Sequence, residues 1–389
     1  MKKIILSAAS LAVAAVASVS VAPTTSEAIP AFARQTGSAC LACHFQSFPT
    51  LNAYGRAFKM GALTDVGDQA LIEDEGLSIP AVVNWTAMVR PQFQSVDNGT
   101  TKANSIGFAD QVFMVGGRGG EHTGVFIEFA AADVAGGGQP YANVQLFNSW
   151  DMGDMKVGAT IWADGFGEDS GLQLMSVWGQ HGGLLGGKSL TINGAMAGLA
   201  GGVGVTGWVG TDAWAAQLAM VDVASGATGV GTGFTLAPVL RGNYFLEAGD
   251  WEVGLGAIAV TGSQNNIDTK RTGIDVQAFG EVGDMQIGVF ADYATAPKSA
   301  TNVYATATSD RTGYSFRATV KPTHNLIFLA GLGQDKADFT IDKTLVGVEW
   351  EAYQNFVVSL SYNEEKTSAF GVTPASKTKT TLLDFELLI

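Results

Sequence analysis

Val346–Asn363 reads VGVEWEAYQNFVVSLSYN. Val346, Val348 and Trp350 alternate with Gly347, Glu349 and Glu351. After the turn Tyr353-Gln354-Asn355, Phe356, Val358, Leu360 and Tyr362 alternate with Val357, Ser359, Ser361 and Asn363. A period of two marks strands with one apolar and one polar face. Tyr314–Lys321 and Ile274–Phe279 repeat the pattern, and Val357 and Phe279 are apolar exceptions on the polar face. In a soluble sandwich the apolar face would be the core. In a membrane barrel it meets lipid, and the polar face lines the lumen.

The turns decide between the two. Gly153-Asp154, Gly249-Asp250 and Gly283-Asp284 each precede a similar strand start. Further tight turns stand at Arg118-Gly119-Gly120, Gly210-Thr211-Asp212, Thr323-His324-Asn325 and Tyr353-Gln354-Asn355. Between them lie longer polar or small-residue loops at 96–104, 132–140, 223–233, 262–270, 295–309, 334–341 and 365–377. Short turns alternating with long loops is the pattern of an outer-membrane barrel, short on the periplasmic side and long outside. Seven short turns imply about sixteen antiparallel strands, an all-β, porin-like barrel over 77–389. The expected strand starts fall near 79, 105, 122, 141, 154, 203, 212, 234, 250, 271, 285, 311, 325, 342, 355 and 378. The piece 164–202 is too long for an ordinary loop. It either folds into the lumen or adds a strand pair around 190–199. The chain closes on an amphipathic strand ending in Ile389, where such barrels often end in an aromatic residue.

Composition agrees. There are 50 Gly, 10 Pro and 15% charged residues, and the formal charge is −14. No apolar run after the amino-terminal one reaches the ~18 residues of a membrane helix. Residues 1–28 read as a secretory signal: Lys2 and Lys3, an apolar run over Ile4–Ala17, and the small-x-small site Ser26-Glu27-Ala28. Its removal takes away two lysines and one glutamate and leaves −15. That charge attracts cations and repels nucleic acid.

Residues 29–76 form a separate segment. Phe32–Met60 holds the only two cysteines, Cys40 and Cys43, followed by His44. C-x-x-C-H is the spacing of covalent c-type haem attachment, with the histidine as proximal ligand. A disulfide or half of a zinc site is the rival reading, but a tetrahedral zinc site wants about four N/S ligands. Downstream, Ser47 reads as a helix cap with Pro49 in the first turn. Leu51, Tyr54 and Phe58 recur at helical spacing, and Gly61 is the stop. Gly55 interrupts that helix, where a haem face or the barrel wall would require it. Under fifty residues is near the lower limit for an independent core, so the segment depends on haem and barrel. Glu73-Asp74-Glu75 reads as a solvated linker.

Met60 is a candidate distal ligand, because Met/His ligation raises a haem potential. His122, His181 and His324 are its rivals. Arg34, Arg56 and Lys59 are candidates for haem propionates, against pairing with lumen acids such as Glu349 and Glu351. The inward register places Glu128, Asp275, Glu281, Asp292, Glu349, Glu351, Asp384 and Glu386 against Arg90, Arg317 and Lys321, a balance that favours cations.

Pro30–Lys59, with its FARQTG lead-in, C-x-x-C-H, FQ-x-FP step and LNAYGRAFK helix, resembles the outer-membrane cytochrome–porin fusions of iron-oxidising bacteria. The resemblance implies one haem c on Cys40, Cys43 and His44, in or at the mouth of a sixteen-stranded porin in a Gram-negative outer membrane. It implies oxidation of extracellular Fe(II) by a haem accessible towards the cell surface, with a periplasmic c-type cytochrome as acceptor. No catalytic acid or base is expected beyond the haem. The alternatives are a diffusion channel plugged or gated by the haem segment, and electron flow in the opposite direction.

Overall fold

The computed structural model describes residues 30–75, 77–130, 141–163, 170–177, 190–196, 203–222, 236–264 and 267–389. The expected signal segment and His181 lie outside the described residues.

Sixteen antiparallel strands close into one barrel. They are β1 Trp85–Asp97, β2 Lys102–Arg118, β3 Thr123–Ala130, β4 Tyr141–Met152, β5 Met155–Ala163, β6 Val203–Gly210, β7 Trp214–Asp222 and β8 Leu236–Ala248. The second half comprises β9 Trp251–Val260, β10 Arg271–Val282, β11 Met285–Ala296, β12 Arg311–Thr323, β13 Leu326–Lys336, β14 Thr340–Tyr353, β15 Phe356–Thr367 and β16 Ser376–Leu388. Each pairs with its neighbours in sequence. β16 closes on β1, with Lys379 opposite Asp97 and Leu388 opposite Met88. Closure leaves no unpaired sheet edge, the condition for strands in lipid.

The burial pattern is inverted relative to a soluble protein. On β10, Ile274 is 60% exposed and Asp275 5%; on β12, Phe316 is 44% exposed and Arg317 1%. Apolar side chains form the outer surface and polar ones the interior, which excludes the sandwich. In the β14–β15 hairpin, Val348 faces Leu360 and Trp350 faces Val358 on the outside, while Glu349 faces Ser359 on the inside.

Fifteen of the sixteen strand starts fall within three residues of expectation. The exception is the first. Leu77–Pro80 pairs with Leu71–Asp74 in a small hairpin outside the barrel, and the barrel begins at Trp85. Glu73 and Asp74, expected in a linker, belong to that hairpin, and the boundary at 76/77 falls in its turn. Two expected long loops are short, because the polar residues read as loop are paired: Ser95 with Asn104, and Gln334 with Asp342. Where strands rise beyond the apolar belt, their outward residues need not be apolar.

Within 164–202, the described residues fold into the lumen. Leu172, Leu174, Met175, Val177, Leu190, Ile192 and Met196 are buried. Arg317 donates to the Ser176 and Val177 carbonyls at 2.6 and 3.0 Å. Asn193 N donates to Asp292 at 2.6 Å. The strand pair expected around 190–199 is not formed over 190–196, where a short helix spans Ile192–Ala195.

Candidate cofactor segment in the barrel mouth

Three short helices build the segment: α1 Pro30–Thr36, α2 Cys40–Cys43 and α3 Ala53–Met60. The cap of α3 is Asn52, not Ser47. Its side chain accepts from Gly55 N at 3.0 Å and donates to the Ala42 carbonyl at 3.0 Å, tying α3 to the end of α2. Ser47 Oγ instead donates to Glu349 of the barrel wall at 3.2 Å. Between the helices the chain doubles back: Phe45 N donates to Thr50 O, and Asn52 N to Cys43 O. Gly55 is required by this fold-back, since a β-carbon there would clash with the Cys43 carbonyl oxygen. The expected haem face or barrel wall is not its cause.

A c-type haem asks for two reduced thiols one helical turn apart and a neutral imidazole beside the second. Cys40 and Cys43 stand unbridged at i and i+3 of α2, a spacing that shares one helical face. Among the described residues no group of three or more His, Cys, Asp and Glu is placed to hold a metal, so the zinc reading lacks its second pair of ligands there. His44 Nδ1 is buried without a hydrogen-bond partner, a condition that costs roughly 1–3 kcal/mol. Burial pulls the imidazole down to about 4, and burial followed by Asp65 pushes the Cys43 thiol up to about 11. His44 is thus neutral near pH 7, the form that ligates metals. A cavity of about 310 Å³ adjoins Cys40. The donor set, two thiols and a neutral imidazole, fits a c-type haem; the cavity touches Cys40 but neither Cys43 nor His44.

The wall contacts of the segment lie at the short-turn end. Lys321 donates to Gln46 O at 2.6 Å, and Gln46 Nε2 donates to Gln286 O at 2.9 Å. Gln35 accepts from Arg118 N at 2.9 Å, and Ala31 N donates to Thr86 at 2.9 Å. Arg56 makes two bonds to Glu252, at 2.6 and 2.9 Å, so it takes the ion-pair role rather than the propionate one. Lys59 reaches Gln173 of the lumen segment. Arg34 donates to the Trp85 carbonyl and lines the cavity beside Cys40. Met60 is 1% exposed, in the same core as Phe58 and Leu63. His122 is exposed in the β2–β3 turn, and exposed His324 stands near Gln46 and Ser47. From the lumen side, Ser176 Oγ donates to Pro49 O at 3.2 Å.

Sequence reasoning missed Phe45, Asn52 and Glu252. Part of the signal was there: Phe279 stacks on Phe45, and Val357 lines a small cavity with Gln46 and Ser47. The apolar exceptions on the polar face are where the wall meets the segment. The expected charge balance also changes. Glu281 is exposed, and the buried Arg241 and Arg271 were not in the expected inward set. Arg241 pairs with Asp275, and Arg90 with Asp384.

No family model and no curated protein matches the chain. Solved structures do. OmpT of Vibrio cholerae, folded in vitro, is 14% identical over 83% of this chain and 100% of its own, with a TM-score of 0.51. The anion-selective porin from Comamonas acidovorans is 11% identical over 79% of this chain and 99% of its own, with a TM-score of 0.51. The fold is that of an outer-membrane porin barrel.

Proposed function

We propose that this chain is an outer-membrane cytochrome in which Cys40 and Cys43 hold a c-type haem, His44 is its proximal ligand and Met60 its distal one. When bound, the haem supplies a one-electron relay. Extracellular Fe(II) gives up one electron and becomes Fe(III), and a periplasmic c-type cytochrome takes the electron up. The observation that carries this reading is the built-in C-x-x-C-H segment: two unbridged thiols and a buried imidazole lodged in a barrel mouth. A mere stopper needs neither.

The chain's own residues fix the segment and shield it. Arg56, Gln46 and Ser47 clamp it to the wall, and 170–177 lies across it from the lumen side. Its anchorage at the short-turn end supports electron exit at the periplasmic mouth. Fe(II) approaches the haem from the long-loop side.

The second reading is a plugged porin, favoured by the barrel fold and by the filled lumen. One experiment separates them. Intact cells carrying the protein, and cells carrying Cys40→Ser/Cys43→Ser, are mixed with Fe(II) without oxygen. Haem reduction in the first and none in the second is expected. A covalent haem that stays oxidised would hand the function to the plugged porin.

A further inference from the structure

We propose that the outer face of the hairpin Leu71–Asp74/Leu77–Pro80, with Val82 and Val83 beside it, is the docking surface for a small periplasmic electron carrier whose own contact patch is apolar and ringed by lysines. This rests on the electron-transfer reading above and names the chemistry of its acceptor. The two strands of the hairpin pair only with each other, outside the barrel. Residues opposite one another in an antiparallel pair share a face. Ile72 stands opposite Ile79 and Asp74 opposite Leu77 on one face; Leu71 stands opposite Pro80 and Glu73 opposite Ser78 on the other. The second face is turned inward, where Ser78 is buried and accepts from Arg118 Nη2 at 2.6 Å. The first is bare. Ile72 and Leu77 are exposed, and Val82 and Val83, in the link to β1, are each 66% exposed.

Place and charge say what covers this face. Arg118 belongs to the inward register of β2, in which Val112, Met114 and Gly116 are buried. Its guanidinium also donates to the Thr64 carbonyl at 3.0 Å. The hairpin is thereby held at the short-turn mouth, beside the cofactor segment, and not on the lipid face of the wall. Tyr54 of α3 reaches the same stretch, donating to Asp65 at 3.0 Å. Residues 62–83 carry five acids, Asp65, Asp68, Glu73, Asp74 and Glu75, and no Lys or Arg. All five acids are exposed. An exposed apolar patch rimmed by polar residues marks an interaction site, and protein interfaces place an apolar core inside a polar rim. A rim of one sign selects a partner of the other sign and speeds its approach. Lipid phosphate repels the same five carboxylates, so the occupant is a cationic protein and not the bilayer.

The test measures binding of the intact holoprotein in detergent to a basic cytochrome c with lysines around its haem edge, and to the same probe with its lysines acetylated. The basic probe should bind, less tightly with added salt, and the acetylated one, which has lost the charges, should not. Ile72→Thr/Val82→Thr and Asp68→Lys/Glu75→Lys should each raise Kd about tenfold, the loss of one good interface contact. Asp250→Lys/Asp284→Lys puts the same charges on the exposed β8–β9 and β10–β11 turns. That control should keep the wild-type Kd at physiological salt, where charges more than ~8 Å apart are screened. Heat-dependent gel migration checks the fold of each variant. Haem-stained hairpin variants that bind as the control does overturn the dock alone. Protection of Ile72→Cys from an aqueous maleimide by the basic probe supports it; protection by phosphatidylethanolamine vesicles without the probe gives the face to the bilayer and overturns it. A wild-type chain without covalent haem stain overturns the electron-transfer reading, and the carrier with it.

Discussion

Phe45 stacks on Phe279 of β10, with ring centroids 4.6 Å apart and planes inclined by 11°. Phe279 also meets Phe290 of β11 edge-on at 5.7 Å. The residue after C-x-x-C-H therefore rests on an inward aromatic, itself backed by a second, where the alternation of β10 calls for a polar side chain. Burying a Phe and truncating it to Ala costs about 3–5 kcal/mol. Phe279→Ala is expected to loosen the segment without opening the barrel. Limited proteolysis should cut 30–75 faster, while gel migration of the unheated barrel stays as in the wild type. Unchanged cleavage would show that the stack contributes nothing to docking.

Gly55 carries a prediction of opposite sign to helix propensity. In an open helix, Gly→Ala gains about 0.8–1 kcal/mol. Here the new methyl meets the Cys43 backbone and approaches Leu51 Cδ2 at 3.0 Å, and backbone cannot step aside cheaply. Overpacking costs about 1–3 kcal/mol, so the loss exceeds the gain. Gly55→Ala should lower covalent haem stain per unit of folded barrel and raise protease sensitivity near Cys43. An alanine variant with more stain than the wild type would refute the close approach as the reason for the glycine.

The barrel was legible because lipid imposes a strict rule, visible on residue pairs such as Ile274–Asp275 or Phe316–Arg317. Short turns such as Gly249-Asp250 mark strand ends without ambiguity. The seating of the segment was not legible, because contacts such as Lys321–Gln46 join residues 275 positions apart and leave no periodic trace. Ser47 shows how a sound local rule loses: Ser followed by Pro two residues on is a helix-start pattern, yet its hydroxyl is taken by Glu349. The polar runs around Asn98 and Lys336 misled for a different reason, since above the apolar belt a strand looks like a loop.

Met60 is proposed as the distal ligand of the haem iron, with His44 as the proximal one. Met60→Ala should lower the haem potential, since Met/His ligation raises it, and remove the charge-transfer band of Met-ligated ferric haem. Far-ultraviolet dichroism checks that the barrel persists. A spectrum and potential matching the wild type would reassign the position to a histidine or water.

One contact between loops beyond the barrel should persist in mild acid. Asp268 accepts from Thr301 Oγ1 at 2.6 Å and Ser299 Oγ at 3.2 Å, joining the Ser263–Gln264/Ile267–Asp268 hairpin to the 297–310 loop. These bonds, Thr301 first, hold its carboxyl down to about 2, from an ordinary 3.8. A depressed carboxyl contributes stability that is present above its ordinary value and lost as pH falls through the folded one. Pepsin should therefore cut 297–310 little more at pH 3.5 than at pH 4.5, and markedly faster near pH 2. Asp268→Asn should abolish the step between those two regimes. A wild-type cleavage rate rising steadily from pH 5 would contradict the latch.

The last prediction concerns the seal. Arg56 is 3% exposed and Glu252 24%, with two bonds between them and the guanidinium 3.9 Å from the Phe245 ring centroid. Breaking a fully buried pair costs about 3–5 kcal/mol; with Glu252 a quarter exposed, about 2–3 kcal/mol is the scale here. Yet the segment is only one of two layers across the lumen. The second, 170–177, is held by Arg317 through the Ser176 and Val177 carbonyls, and it touches the first through Ser176–Pro49 and Gln173–Lys59. Either layer alone is expected to keep the path blocked. In planar bilayers the wild type should conduct little, Arg56→Ala and Arg317→Ala each only slightly more, and the double variant far more than their sum. Such non-additivity is what two barriers in series produce, and independent leaks do not. A wild type that already conducts as a steady open pore would rule out the seal.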